Sequence, residues 1–168
     1  MGGEIAQPIA GRKKIPGLSG LVLLAPTPPT PLILSNDMQA QQISAYDSAE
    51  AAEFVVMNVL TSSPVFDEDV QNLVTDMLKG NEWAKRGWPA YAMGEDILEQ
   101  AKGIGVPVLV IAGEKDRVEV LKRVEREVVD NIGESKMVVL EGKGHLLPVE
   151  ATEEVAKHIE GLVDRLNV

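Results

Sequence analysis

Three stretches of this chain are apolar at every position: Leu21–Ala25, Val106–Ala112 and Met137–Leu140. A strand wetted on one face alternates apolar with polar residues, whereas a strand apolar throughout is covered on both faces. Burial on both faces belongs to parallel sheets flanked by helices, and the helices are legible beside these runs. Leu121, Val124, Val128 and Ile132 recur at helical spacing, as do Val155, Ile159, Leu162 and Leu166. The final third is therefore expected to run strand 107–112, helix 117–132, strand 136–141, helix 150–166. Strand, helix and strand in that order make a right-handed crossover in a parallel α/β sheet.

The rest of the chain is less regular. Residues 1–14, with Ile5, Ile9 and several alanines, read as a helix ending in Arg12-Lys13-Lys14, although Pro8 removes a backbone donor from its interior. The turn Ile15-Pro16-Gly17 leads to the strand Leu21–Ala25, which Pro26-Thr27-Pro28-Pro29-Thr30-Pro31 ends as a stiff, extended linker. No convincing strand follows until residue 106. Asp37–Ala45, Ser48–Leu60, Asp67–Leu78 and about Asn81–Lys102 read as helices, with Phe54, Met57 and Leu60 on one face. Residues 27–102 hold twelve acids against four bases, so most of the net charge of −10 sits there. Three units are expected: a partial core at 1–34, a helical cap or lid at 35–102, and a second core portion at 103–168.

Composition excludes several functions. There is no cysteine, which removes disulfides, thiolate metal sites and thiol catalysis and fits a cytoplasmic protein. The acidic balance argues against nucleic acid as a partner. No apolar run approaches the roughly 18 residues of a membrane span, and the start lacks the layout of a signal peptide.

In open α/β sheets, functional side chains gather in loops at the carboxyl ends of the strands. Asp116 and His145 both fall there, after consecutive strands. Such a carboxylate would fix the imidazole tautomer and stabilise the imidazolium formed when histidine takes a proton. Each residue has a second reading. Asp116-Arg117-Val118-Glu119 also has the form of a helix N-cap with an acid three residues on, a capping box. His145 also reads as an ordinary loop histidine, although Gly142 and Gly144 would let its loop hold an unusual backbone shape. His158 borders the apolar stripe of the last helix and reads as structural. Gly17-Leu18-Ser19-Gly20 imitates a nucleophile motif, but its second glycine comes one residue too soon and it precedes its strand. Gly103-Ile104-Gly105 reads as a turn, and no His, Asp and Glu spacing points to a metal.

Gly113-Glu114-Lys115-Asp116-Arg117-Val118 and Gly142-Lys143-Gly144-His145-Leu146-Leu147-Pro148-Val149-Glu150 resemble the acid and histidine segments of the α/β-hydrolase superfamily, in the manner of esterases and cofactor-free haloperoxidases. Met1-Gly2-Gly3 resembles the tail of the nucleophile motif, whose serine would stand one residue before Met1. The resemblance covers nearly the whole chain but only the C-terminal portion of that fold. It implies Asp116 as the triad acid, His145 as the general base, and the Met1 backbone N–H as an oxyanion-hole donor. Two departures stand out. Val120 lies where a proline is common after the acid, and Pro8 interrupts a helix expected to be regular.

The function so implied is hydrolysis of an ester or related acyl bond on a small apolar substrate, with no cofactor. The chain would lack the nucleophile and be inactive alone. The strand Leu21–Ala25 would present a free edge, through which self-association is expected. A non-catalytic ligand-binding or assembly module derived from a hydrolase is the alternative. A Rossmann-like nucleotide binder would need a glycine fingerprint that is absent here.

Overall fold

The computed structural model describes residues 1–12 and 15–166, so Lys13 and Lys14 of the basic cluster lie outside the described residues. In chain order the elements are α1 (Gly2–Ala10), β1 (Leu21–Leu24), α2 (Asn36–Ser44), α3 (Ala49–Val55), α4 (Asp67–Lys79), α5 (Glu82–Ala90) and α6 (Leu98–Lys102). They continue with β2 (Val108–Gly113), α7 (Leu121–Glu127), β3 (Ser135–Leu140), α8 (Leu147–Glu150) and α9 (Thr152–Leu166). The strands form a parallel sheet in the order β1-β2-β3, with Leu21 opposite Val108 and Val108 opposite Ser135.

The pleat of β2 sorts its side chains into two cores. Val108, Val110 and Ala112 pack with Leu23, Ala10, Val124, Val128 and Ile132 beneath α1 and α7. Leu109 and Ile111 point the other way, into Leu140, Leu147, Ala151, Val155 and Leu162 of the α8–α9 side. Every residue of β2 is buried, as an apolar run at a sheet centre requires. The flanking strands are only partly buried because each has a single strand neighbour among the described residues.

The proline-rich stretch after β1 is itself interior. Pro26, Thr27, Pro28 and Pro29 are all buried, and Ala25 turns the chain out of the sheet at φ 41°. Arg123 of α7 donates to the Thr30 carbonyl at 3.1 Å, and the Thr30 hydroxyl donates to Glu127. The stretch is thus a covered connection, pinned to α7.

Several expectations need correction. The first helix ends at Ala10, and Gly11 caps it; any side chain at Gly11 would meet the Gln100 carbonyl at 1.8 Å. Pro8 is accommodated inside it. The helix also turns the opposite way from its composition: Glu4, Gln7 and Ala10 are buried, whereas Ile5 and Ile9 are exposed. In the middle segment Phe54 and Met57 face solvent, while Ala52, Val56 and Leu60 are buried. Ala52 and Val56 meet Val70 and Val74 of α4, and a π-turn over Val56–Leu60 shifts the register of the remaining residues. The long helix expected over 81–102 is broken into α5, a short 3-10 turn at Ala92–Gly94, and α6. Finally, α7 starts at Leu121 and ends at Glu127, so residues 117–120 form a turn. None of the described helices is long and apolar enough to cross a membrane.

Ile111, fully buried at the centre of the sheet, gives a direct test of this core. Ile111→Ala is expected to lower the unfolding free energy by about 2–5 kcal/mol in urea titration. A change within a few tenths of wild type would mean that the strand is not at the core's centre.

Candidate active site

The carboxyl ends of β2 and β3 lie side by side, and the loops leaving them are laced together. Glu114 N–H donates to the Leu140 carbonyl at 3.0 Å, and Lys115 N–H to the Lys143 carbonyl at 2.8 Å. Gly113 is required where the loops cross, because a Cβ there would lie 2.1 Å from the Gly144 carbonyl oxygen. Gly142 adopts φ 71°, the left-handed conformation that its loop position was expected to need.

This lacing brings Asp116 and His145 into contact. Asp116 Oδ2 lies 2.9 Å from His145 Nδ1. The carboxylate can only accept, so Nδ1 carries the proton, and in the neutral imidazole Nε2 is the nitrogen left with a lone pair. Asp116 Oδ1 accepts the N–H groups of Val118 at 2.8 Å and Glu119 at 3.0 Å. Asp116 thus divides its oxygens between the imidazole and its own turn; it is not the N-cap of a helix, because α7 begins at Leu121 behind Val120, and the capping box does not close. The two N–H bonds serve the turn before α7, and the Glu119 side chain goes elsewhere. The Asp116 side chain is 1% exposed and that of His145 24%, leaving the imidazole reachable from one side.

Glu150, the last residue of the histidine motif, holds this loop in place. Its Oε1 accepts from the backbone of Ser62 at 2.8 Å, the backbone of Ser63 at 2.7 Å and the Ser63 hydroxyl at 3.0 Å. Its Oε2 accepts from Gly144 N–H at 2.9 Å. His145 N–H and Leu146 N–H both donate to the Leu60 carbonyl, at 2.8 and 3.1 Å. Arg117 adds bonds from Nη1 to the carbonyls of Asn58 and Thr61, and the Ser62 hydroxyl donates to the Lys115 carbonyl. The segment 58–63, which runs out of the π-turn into the chain after it, thus clasps the acid and histidine loops together. Sequence reasoning missed both partners of this clasp. The helix-ending Thr61-Ser62-Ser63-Pro64 was the available signal, since the chain leaves the helix there and the Ser62 and Ser63 N–H groups are free to meet a carboxylate.

A second missed residue is Glu119. It is 3% exposed, and its Oε2 has no hydrogen-bond partner among the described residues. Burial pushes its carboxyl up to about 7, although Thr27, Arg123 and His145 each favour the charged form; the Asp116 charge adds to the rise.

At the start of α1, burial lowers the Met1 amine below its ordinary value, while Glu4 and Glu119 oppose that fall. His158 is half-buried on α9. Ser19 precedes the amino end of β1, the end of the sheet opposite to the Asp116–His145 pair. No serine hydroxyl among the described residues is bonded to the His145 ring, and no three His, Asp or Glu side chains converge as a metal would need. A cleft of about 320 Å³ opens beside Arg117, lined by Met57, Asn58 and Thr61 to Pro64. His145 is not part of that lining, so the cleft belongs to the clasp and not to the imidazole.

No protein-family model and no curated protein matches the chain. Solved structures do. An esterase from Exiguobacterium antarcticum superposes with a TM-score of 0.79 at 19% identity, over 99% of this chain and 63% of the esterase. A bromoperoxidase from Bacillus anthracis gives 0.83 at 13% identity, over 98% and 64%. An enol-lactonase from Burkholderia xenovorans LB400 gives 0.72 at 20% identity, over 98% and 63%. These likenesses show the fold: the chain has the architecture of the C-terminal part of an α/β hydrolase. It spans less than two thirds of each of these proteins.

Glu150→Ala would strand four donors, one of them the buried Gly144 N–H. An unfolding free energy lower by about 3 kcal/mol is expected from chemical denaturation, with loss of amide-exchange protection at Gly144 and His145. Unchanged protection at both amides would refute the clasp.

Proposed function

We propose that this chain, with its α/β-hydrolase architecture, carries the acid and base of a Ser-His-Asp hydrolase acting on an ester or related acyl bond. The observation that carries the reading is the 2.9 Å contact between Asp116 Oδ2 and His145 Nδ1 at the carboxyl ends of adjacent strands. With Nδ1–H held by Asp116, Nε2 can accept the proton of an attacking serine hydroxyl. The resulting imidazolium is stabilised by the buried carboxylate and returns the proton to the leaving alcohol as the tetrahedral intermediate collapses. Water then attacks the acyl-serine by the same route, with His145 again as base.

In this reading the Met1 backbone N–H contributes to the oxyanion hole at the start of α1. Residues 35–102 serve as the cap, and a small apolar acyl group is the substrate class that suits their acidic, cation-poor surface. The activities of the structural neighbours, an esterase and an enol-lactonase among them, agree with acyl chemistry.

A serine-directed fluorophosphonate applied to the native protein tests the reading. The label is expected on the serine that His145 activates. His145→Ala should reduce ester turnover by about six orders of magnitude, and Asp116→Asn by about four. Undiminished labelling in His145→Ala would overturn the assignment. Binding of apolar ligands without any labelling would turn the reading toward a non-catalytic module.

A further inference from the structure

The clasp beside the pair opens onto a cleft whose arginine is only half employed. Arg117 directly follows Asp116, and its Nη1 donates to the carbonyls of Asn58 at 3.0 Å and Thr61 at 3.2 Å. Two acceptors on one nitrogen hold the guanidinium plane in place. The side edge, formed by Nε and Nη2, has no hydrogen-bond partner among the described residues. Nor does any carboxylate among them come within ion-pair distance of Arg117. Acids outnumber bases 26 to 16 in this chain, so an arginine without one is out of keeping with its surroundings.

The cleft of about 320 Å³ that Arg117 lines also has Met57, Asn58, Ser62, Ser63 and Pro64 in its wall. Ligand sites span about 300–1,000 Å³, so this one suits a small molecule. The hydroxyls of the wall are already spent as donors, Ser62 on the Lys115 carbonyl and Ser63 on Glu150. Asn58 Nδ2 donates to the Phe54 carbonyl. The guanidinium edge is the pair of donors left, and its two parallel N–H groups match the two oxygens of a carboxylate. Beside it, the half-exposed Met57 thioether and the exposed Pro64 ring offer apolar contact.

The charge of the ligand is limited as well. The Glu150 carboxylate accepts from the backbone of Ser62 and Ser63, so a negative charge already lies against the cleft wall. One cation facing that charge favours a monoanion over a dianion.

We propose that the Arg117 cleft binds a short-chain monocarboxylate, its carboxylate on the Nε–Nη2 edge and its alkyl chain against Met57 and Pro64. Hydrolysis of an acyl ester releases an acid of this class, which makes the cleft a holding site for product. That identity of the ligand rests on the reading of His145 as base; the site itself does not. His145 is not part of the cleft wall, so a bound acid leaves the position of the reacting acyl group open. No covalent bond forms, and no proton is exchanged with the protein.

Titration of the full chain with sodium butyrate, followed by NMR, tests the site. The Arg117 Nε–H and the Met57 methyl are expected to shift along one saturable curve, with a Kd of about 1–10 mM. Acetate, two methylenes shorter, should bind about three- to tenfold more weakly. Butan-1-ol, and sodium chloride at matched ionic strength, should leave both signals in place. Arg117→Lys keeps the charge and loses the fork, and should weaken butyrate about tenfold as read at the Met57 methyl.

A shift that stays linear to concentrations about tenfold above that range, or one that sodium chloride reproduces, overturns the proposal without any variant. So does unchanged butyrate affinity in folded Arg117→Lys, or inorganic phosphate binding as tightly as butyrate. Failure of the base assignment shows differently: fluorophosphonate labelling survives His145→Ala while the butyrate curve stays saturable.

Discussion

The arrangement depends on one buried anion. Glu150 gathers three backbone N–H groups and a hydroxyl from two segments, Gly144 in its own loop and Ser62–Ser63, the latter 88 and 87 residues before it. An ionised carboxylate inside a protein is tolerated only when its lone pairs are filled, and here four donors fill them. Because the donors belong to the histidine loop and to the chain just after the π-turn, satisfying Glu150 forces those segments together. The Leu60 carbonyl, shared by His145 and Leu146, then fixes where the histidine backbone sits. The imidazole meets Asp116 because the loops have no other way to satisfy that anion.

Three carboxylates around this site have three different fates, set by their donors. Glu150 is fully served and acts as a structural rivet. Asp116 divides its two oxygens between its own turn and the imidazole, and its side chain is almost wholly withdrawn from solvent. Glu119, four residues before Arg123 on the same helical approach, finds that arginine already bonded elsewhere. Its carboxyl therefore stays close to neutrality, and its charge becomes sensitive to ordinary changes in pH. The chemistry of a carboxylate is thus decided by which N–H groups the fold leaves free.

The architecture follows the expected order of a parallel sheet with helices on both faces, as the structural likeness to α/β hydrolases shows. The strands were legible because Val108–Ala112 and Leu21–Leu24 are apolar at each position, a pattern with few alternatives. The stripe Val124, Val128, Ile132 was legible for the same reason, and all three residues are buried. Helix limits were not. Residues 117–120 suit a helix, yet Asp116 holds them as a turn by accepting two of their N–H groups. The face of α3 was misread because the choice between Phe54 and Val56 depends on α4, whose Val70 and Val74 accept only the latter.

Local residue pattern determined the strands, the doubly covered sheet, and the presence of an acid and a histidine at the ends of adjacent strands. These are short-range properties, read from hydrophobic period and from turn-forming glycines. Tertiary structure alone decided the rest: the burial of Glu4 and Gln7 while Ile5 and Ile9 stay outside, the clasp of segment 58–63 on Glu150, and the stranding of Glu119. Each of these is a question of which donor reaches which acceptor across tens of residues. That competition is settled by three-dimensional proximity, which no spacing along the chain encodes.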